Sequence, residues 1–534
     1  MQYISTRGGD ERVTFEEAVF RGLAQNGGLF IPERIPSLPE GWEKSWATLS
    51  YVELCHRVLS LFIPPTAEEG GIASADLYEI IDRSYSTFRD PQVAPLTHVT
   101  EREWCLELWH GPTFAFKDIA LQLLGNLFEY FLKRRNEGRA ENDKETITVV
   151  GATSGDTGSA AIAGLRSKEH IQIFILHPYR RVSAVQNAQM TTVLDENVHN
   201  LAVDGTFDDC QDIVKALFGD KTFNDKYKLG AVNSINWARI LSQIVYYFYA
   251  FFTLKEKEPA LDMRTVQYVV PTGNFGDILA GYYAKRLGVP MEILIAATNS
   301  NDILQRFWAT GRYEKRATHQ SSSSQFVSET LSPAMDILVS SNFERLLWYL
   351  AHDTDMESSD EAHRAQKAGA QVASSMSKLK TKGAFSVSPE EHKLARHDFV
   401  SFRASDEETK ETIRKYYAIK RDEGKYLVDP HTAVGFNAAN KAAVHEHTTQ
   451  IILSTAHPAK FRESVLAAVA DPRDLPLAEN LFDQYVIPPE LRGMLELPRR
   501  FTRVCVADAP QNAGPTQFDK LLARTKQIIE EQSF

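Results

Sequence analysis

At 534 residues, 43% hydrophobic and 24% charged, the chain has the composition of a globular protein too long for one ordinary domain, so two or three are expected. Its net charge of −11 argues against a nucleic-acid partner, which needs a basic face, but allows a small anionic substrate in a locally positive pocket. The polar start MQYISTRGGDERVTFEEAV has no apolar signal-peptide core, and no stretch reaches the ~20 apolar residues of a membrane span. Four scattered cysteines, Cys55, Cys105, Cys210 and Cys505, show no metal-ligand spacing, so no metal is expected and a reduced, cytoplasmic protein with buried thiols is.

The first hundred residues read as a small helical region, with a Gly/Pro-punctuated loop at GGLFIPERIPSLP and helical periodicity in SYVELCHRVLSLFI. HGPTFAFKD then leads into IALQLLGNLFEYFLKRR, whose apolar residues recur at helical spacing. Lys117 therefore stands at the head of a buried helix, where a lone lysine in an apolar run is unusual. TITVVGATSGDTGSAAIAGL combines a β-branched run, a Gly/Ser/Thr turn and an alanine-rich helix, and IQIFILHP is a further strand. Ile240 to Leu254 reads as a core helix. VQYVVPTGNFGDILAGYYAKRLG repeats the strand, glycine loop and helix, and MEILIAATN follows as a strand. This alternation predicts an α/β fold with parallel or mostly parallel sheets and ligand loops at the strands' C-terminal ends. Arg312 to Glu329, with SSSSQ, is expected to be a loop. Residues 353–423 are expected to be a charged, partly helical, solvated insertion before strand character returns in QIILSTAHP. The expected partition is an N-terminal region at 1–105, a smaller α/β domain at 106–235 and a larger one at 236–534.

Several loops offer chemistry. PTGNFGD, Pro271 to Asp277, lies between a strand and a helix, where glycines admit a ligand and the helix N-terminus offers free N–H groups. Lacking a P-loop lysine, it is a phosphate cradle of another kind. GATSGDTGSA is built alike, with Ser154, Thr157 and the N–H groups around Gly155 able to hold a carboxylate. In NSINWAR, Arg239 can bind a phosphate or carboxylate through two N–H groups, with Asn233 and Ser234 as neutral donors. Each loop taken alone fits a capped helix start as well. His110 and His457 taken alone read as structural histidines. Together, two anion loops, a buried lysine and the strand-end hydroxyls of STAHPAKF suit pyridoxal phosphate with an amino-acid substrate. Phe114 and Phe116 would supply the apolar setting that keeps the amine uncharged.

These motifs carry a resemblance. MQYISTRGG, GGLFIPE, HGPTFAFKD, GATSGDTGSA, NSINWAR, PTGNFGD, TLSPAMDIL, DPHTAVG and STAHPAKF occur in the order found in the threonine synthase family, pyridoxal-phosphate enzymes of fold-type II (tryptophan-synthase β-like). Length and the charged insertion look most like the fungal and enterobacterial branch. The resemblance implies that Lys117 is the Schiff-base lysine. It assigns Gly273, Asn274, Phe275, Gly276 and Asp277 to the cofactor-phosphate loop and Thr455 to the pyridine nitrogen as its hydroxyl partner. It further implies that Asn233, Ser234 and Arg239 bind the substrate phosphate, and Ser154 and Thr157 its carboxylate. Asp156 departs from the asparagine common in the superfamily, and a negative side chain should not face a carboxylate. The implied reaction turns O-phospho-L-homoserine and water into L-threonine and phosphate by γ-elimination and β-addition, in a monomer or homodimer. The alternatives are a phospho-lyase or serine/threonine dehydratase of the same fold, or a non-catalytic relative.

Overall fold

The structure, a computed structural model, describes residues 1–315, 327–355, 360–420, 424–442 and 448–533. Two parallel sheets organise it. Strand Ile147–Ala152, ITVVGA, is buried along its whole length, as a β-branched run must be when both faces of its sheet are covered. It lies between Ile171–Pro178 and Leu229–Ala231, and Val198–Val203 and Thr502–Val504 complete a five-stranded, all-parallel sheet. The six-stranded sheet runs in the spatial order Phe399–Arg403, Leu294–Thr298, Gln267–Pro271, Gln450–Ser454, Glu103–Glu107, Leu96–His98, and only its last pair is antiparallel.

The 21-residue helix Trp237–Lys257 is the core helix expected around Ile240 to Leu254. It packs against Tyr51–Leu59, Lys117–Asn136 and Gly276–Leu287, so its aromatic side chains Tyr246, Tyr247, Phe248 and Phe251 are buried. Among the described residues no helix is long and apolar enough to cross a membrane. Helix Lys117–Asn136 crosses helix Asp156–Leu165 at two glycines. A Cβ on Gly125 would overlap the Gly164 carbonyl, and one on Gly164 would overlap that of Leu121. Lys117 and Asp156 each sit eight residues upstream of this crossing, about 12 Å of helix. The glycine contact therefore sets how close those two side chains come.

Several expectations need revision. The N-terminal region holds Tyr51–Leu59 as a helix, but also a three-stranded antiparallel sheet of Tyr3–Ser5, Arg12–Val13 and Phe30–Pro32. Sheet membership does not follow the cuts at 105 and 235. Leu96–His98 and Glu103–Glu107 join the larger sheet, and Thr502–Val504 returns to cover the edge that Val198–Val203 would otherwise expose. The stretch 353–423 is more than a solvated elaboration. It holds helices Glu361–Lys382, Pro389–Asp398 and Asp406–Ala418, and its strand Phe399–Arg403 forms one edge of the larger sheet. Phe399, Ile413 and Tyr416 are buried there, an apolar minority hidden by the surrounding charge. In the expected loop after Arg312, Arg312–Glu314 pairs with Ala384–Ser386, and residues 316–326 lie outside the described residues. Cys55, Cys105 and Cys210 are buried free thiols, whereas Cys505 is half-buried.

Candidate active site

Lys117 is the first residue of its helix, and the segment before it is tied to the end of strand Gln450–Ser454. The Phe116 N–H donates to the Thr455 carbonyl at 2.8 Å and the His457 N–H to the Phe114 carbonyl at 3.0 Å. Ala115 and Ala456 thus bridge HGPTFAFKD to STAHPAKF across more than half the chain. Phe114 adopts a φ of 60°, the left-handed region, which turns the chain sharply into the helix. Asp118 locks that turn by accepting from the Thr113 N–H and hydroxyl, each at 2.7 Å.

The Lys117 side chain is buried. Burial pushes its amine down to about 8, with Asp156 opposing that fall and Arg239 and Lys460 adding to it. A neutral, nucleophilic amine near physiological pH is what capture of an aldehyde requires. Of the two phenylalanines expected around the amine, Phe116 lies 5.6 Å from Nζ. Phe114 instead packs under the Arg89 guanidinium, 3.6 Å from its ring centre, and against His457.

In the loop after Ile147–Ala152, Thr153 is the cap. Its hydroxyl accepts from the N–H groups of Gly155 (2.9 Å) and Gly158 (2.8 Å), which leaves Ser154 and Thr157 free of that task. Gly155, at φ 140°, must be glycine, because a Cβ there would overlap the side chain of Gln186. The Asp156 carboxylate faces lysines, not a substrate carboxylate. Its Oδ1 accepts from Lys460 Nζ at 2.8 Å and Gln186 Nε2 at 2.9 Å, and its Oδ2 lies 3.9 Å from Lys117 Nζ. Burial works against its charge, but Lys460 and Lys117 together hold its carboxyl well below the usual carboxylate range.

In NSINWAR, Asn236 is the helix cap. Its Oδ1 accepts from Ala238 N–H and its Nδ2 donates to the carbonyls of Val19 and Ala231. Arg239, in the first turn, is 2% exposed, gives one N–H to the Val232 carbonyl at 3.0 Å, and leaves its Nε–H without a partner. Among the described residues no carboxylate pairs with it, and burial pushes its pKa down to about 10. A buried guanidinium with spare donors and no counter-charge is a receptor waiting for an anion.

PTGNFGD is held from behind. Ser340 donates to the Gly273 carbonyl at 2.6 Å, and Asn342 to the Asn274 carbonyl through both its backbone N–H and Nδ2 at 3.0 Å. With the carbonyls held outward, the loop's N–H groups can converge on a phosphate. Phe275, at φ 64°, anchors the turn in an aromatic cluster with Trp308, Phe343 and Phe399. Gly273 leaves little room for a Cβ, which would press on the Ala334 carbonyl and Met335 Cα of TLSPAMDIL. Asp277 keeps its place in the loop, but its side chain points elsewhere. Its carboxyl turns into the core, where Oδ1 accepts from Tyr246 and Tyr247, and burial pushes it up to about 7. Only its backbone N–H is left for a cofactor phosphate. The loop also joins NSINWAR: Ser341 lies 3.4 Å from the Ser234 hydroxyl and donates to Asn274 Oδ1 at 3.3 Å, and Asn342 Nδ2 reaches the Ser234 carbonyl at 3.1 Å.

Thr455 rests on a directed chain. Trp109 Nε1–H donates to Ser454 Oγ at 3.0 Å, Ser454 to Thr432 Oγ1 at 3.1 Å, and Thr432 to Asp429. The Thr455 N–H also donates to Thr432 Oγ1, at 3.3 Å. His431 Nε2 accepts from the Ala334 N–H at 3.2 Å, so its proton lies on Nδ1, which donates to Asp429 at 2.8 Å. His110 pairs with Glu107 at 3.0 Å, and His457, which burial pushes down to about 3, accepts from the Ala459 N–H. Both act as structural histidines.

Sequence reasoning missed Lys460, Gln186, Thr153 and the Ser340–Ser341–Asn342 brace. Lys460 carried the very signal that exposed Lys117: PAKF, like FAFKD, sets a lone lysine in an apolar run. The brace carried none, because its role is to join two motifs distant in sequence.

Comparison with known proteins agrees with this geometry. Residues 2–85 match the family described as "Threonine synthase N terminus", 91–373 "Pyridoxal-phosphate dependent enzyme" and 432–528 "Threonine synthase, C-terminal". The chain is 51% identical to threonine synthase of Schizosaccharomyces pombe, over 99% of this chain and 98% of the relative, and 50% identical to that of Saccharomyces cerevisiae, over 95% of each. Among solved structures, yeast threonine synthase matches with a TM-score of 0.86 at 47% identity, over 99% of this chain and 98% of that one. The pyridoxal-phosphate-bound enzyme from Brucella melitensis matches at 0.82 and 38%, over 100% and 99%.

Proposed function

The chain belongs to the threonine synthase family of fold-type II pyridoxal-phosphate enzymes, and from that premise we propose how its residues divide the work. The reaction is the conversion of O-phospho-L-homoserine and water to L-threonine and phosphate, the last step of threonine biosynthesis. Pyridoxal phosphate, when bound, supplies the electron sink that makes the substrate's Cα and Cβ protons removable. Lys117 is its attachment point, and Gly273, Asn274, Phe275, Gly276 and the Asp277 N–H cradle its phosphate. Thr455 offers the pyridine nitrogen a hydroxyl, which cannot hold that nitrogen protonated as a carboxylate would. More of the work therefore falls on proton transfer by Lys117.

Ser154 and Thr157 hold the substrate carboxylate at the start of their helix. Asn233, Ser234 and Arg239 hold the phosphate that leaves Cγ. Lys117 Nζ takes the proton from Cα and then one from Cβ, and returns a proton to Cγ after phosphate departs. The hydroxyl of water then adds at Cβ, the second proton held by Lys117 returns to Cα, and the remaining proton of water goes to the released phosphate. The observation that carries this reading is Arg239, a buried cation with spare donors and no carboxylate, beside the lysine. A dehydratase acting on serine has no leaving phosphate for that cation to meet, and a non-catalytic relative would be free to lose Lys117 and Thr455. The test is product analysis with the phosphorylated substrate. Threonine with stoichiometric phosphate is expected, whereas 2-oxobutyrate and ammonia would indicate a phospho-lyase. A cytoplasmic setting and a monomeric or homodimeric state complete the proposal, with no nucleic-acid partner, the last supported by the acidic net charge.

A further inference from the structure

Asp156 is a buried carboxylate with an unequal pair of oxygens. Oδ1 is saturated by Lys460 at 2.8 Å and Gln186 at 2.9 Å, whereas among the described residues the cation that Oδ2 faces is Lys117 Nζ, at 3.9 Å. Lys460 is fully buried, and its other hydrogen bond goes to the Thr113 carbonyl at 2.8 Å, in the turn that leads to Lys117. Gln186 packs on Gly155 and is itself buried. The carboxylate is thus clamped from one side and presents a single oxygen to the lysine on the other.

We propose that Asp156, clamped by Lys460 and Gln186, is a positioning residue that orients the Lys117 amine and sets the balance between its charged and neutral forms. This rests on the reading that Lys117 carries the cofactor. The charged groups facing Lys117 are Asp156 on helix Asp156–Leu165, Arg239 on helix Trp237–Lys257, Lys460 on the turn Pro458–Phe461 and Asp118 on its own helix, and His431 faces Asp156. Arg239 and Lys460 together with burial favour the neutral amine, which can attack. Asp156 favours the ammonium, which can deliver a proton. A lysine that must do both in one cycle needs the two influences nearly matched.

The clamp makes opposite predictions for its two ends. The full-length, cofactor-free protein is exposed to pyridoxal phosphate across a pH series. The adduct is trapped with borohydride and located by peptide mass, and the pH midpoint of capture at Lys117 is read. Asp156→Asn removes the attraction and should lower the midpoint by about 1 pH unit. Lys460→Met removes a repelling cation and also a cation that competes with Lys117 for the carboxylate, so the midpoint should rise. In the double variant the lost attraction outweighs the lost repulsion, so its midpoint should fall below the parent's but less far than that of Asp156→Asn. The kcat–pH profile of the loaded enzymes should move the same way. A purely structural ion pair would lower stability and leave all the midpoints together, which would overturn the proposal, as would a rise with Asp156→Asn. If either single variant fails to fold, the double variant decides: a midpoint at or above the parent's overturns the inference. Capture that persists in Lys117→Ala would sink the assignment of Lys117 itself, whatever Asp156 does.

Discussion

The two walls of the site are built from different materials. On the side of the larger sheet, PTGNFGD offers backbone N–H groups, Thr455 offers a hydroxyl, and the loop's own carboxyl, Asp277, is turned inward and pushed up to about 7. The other wall is ionic: Lys117, Asp156, Lys460 and Arg239 are all buried and interact electrostatically. Neutral donors pre-set by backbone geometry suit a resident phosphate, because holding it needs no change of charge during the cycle. Buried charges suit what comes and goes, namely protons and a leaving phosphate, because in a low dielectric small movements change their energies strongly.

The contrast is broken most directly at Lys117. Lys117→Ala should abolish trapped cofactor and lower turnover by at least ~10³-fold, and an active variant would empty the ionic wall of its purpose. Arg239→Ala should lower kcat/KM for the phosphorylated substrate by about 10²-fold, the worth of lost charge-assisted hydrogen bonds. Covalent capture of the cofactor should survive; if it is lost as well, the division between resident and leaving phosphate is wrong.

Gly164→Ala tests the packing that spaces the ionic wall. Its Cβ would press on the Leu121 carbonyl, so a loss of about 1–3 kcal/mol in stability is expected. As Asp156 is moved away from Lys117, the capture midpoint should drift down; a thermal melt and the trapping assay read the two effects. The smallest effect belongs to the neutral wall. Asp277 has a raised folded-state pKa of about 7 against an ordinary value near 4, so the folded state binds a proton that the unfolded state lacks between those values. Its stabilising contribution is complete below about pH 4 and is lost as pH rises through about 7. Asp277→Asn keeps an oxygen for Tyr246 and Tyr247 and does not titrate. It should therefore be nearly as active as the parent, with a stability advantage that grows from acid to neutral pH, measured by denaturant titration at several pH values.

Much of this was legible in the chain because the signals were local. An apolar strand followed by a glycine loop locates a strand-end site, and Lys117 stood out against its phenylalanines. Asp277 shows the limit: a residue at a helix N-terminus can point to the ligand or to the core, and only the tyrosines of a helix some thirty residues earlier decide which. Phe399–Arg403 was hidden by its charged surroundings, although the stretch supplies a sheet edge. Lys460 and Asp156 were each visible, but their pairing depends on the glycine crossing and the Ala115–Ala456 bridge, contacts between segments that periodicity cannot relate.

The return of Thr502–Val504 to the smaller sheet has a consequence for how the protein is made. Its neighbour Val198–Val203 leaves the ribosome long before it, and the ion pair Arg503–Asp204 beside them joins residues 299 apart. Thr455 and Lys460 also emerge late, so the half-made chain holds Lys117 without the segment that pins its turn. A nascent chain therefore carries an open, apolar strand edge until Thr502–Val504 appears, an invitation to mispairing that chaperones exist to cover. Loading of the cofactor belongs to the finished chain, and a truncation before residue 500 should aggregate rather than accumulate as an inactive but folded enzyme.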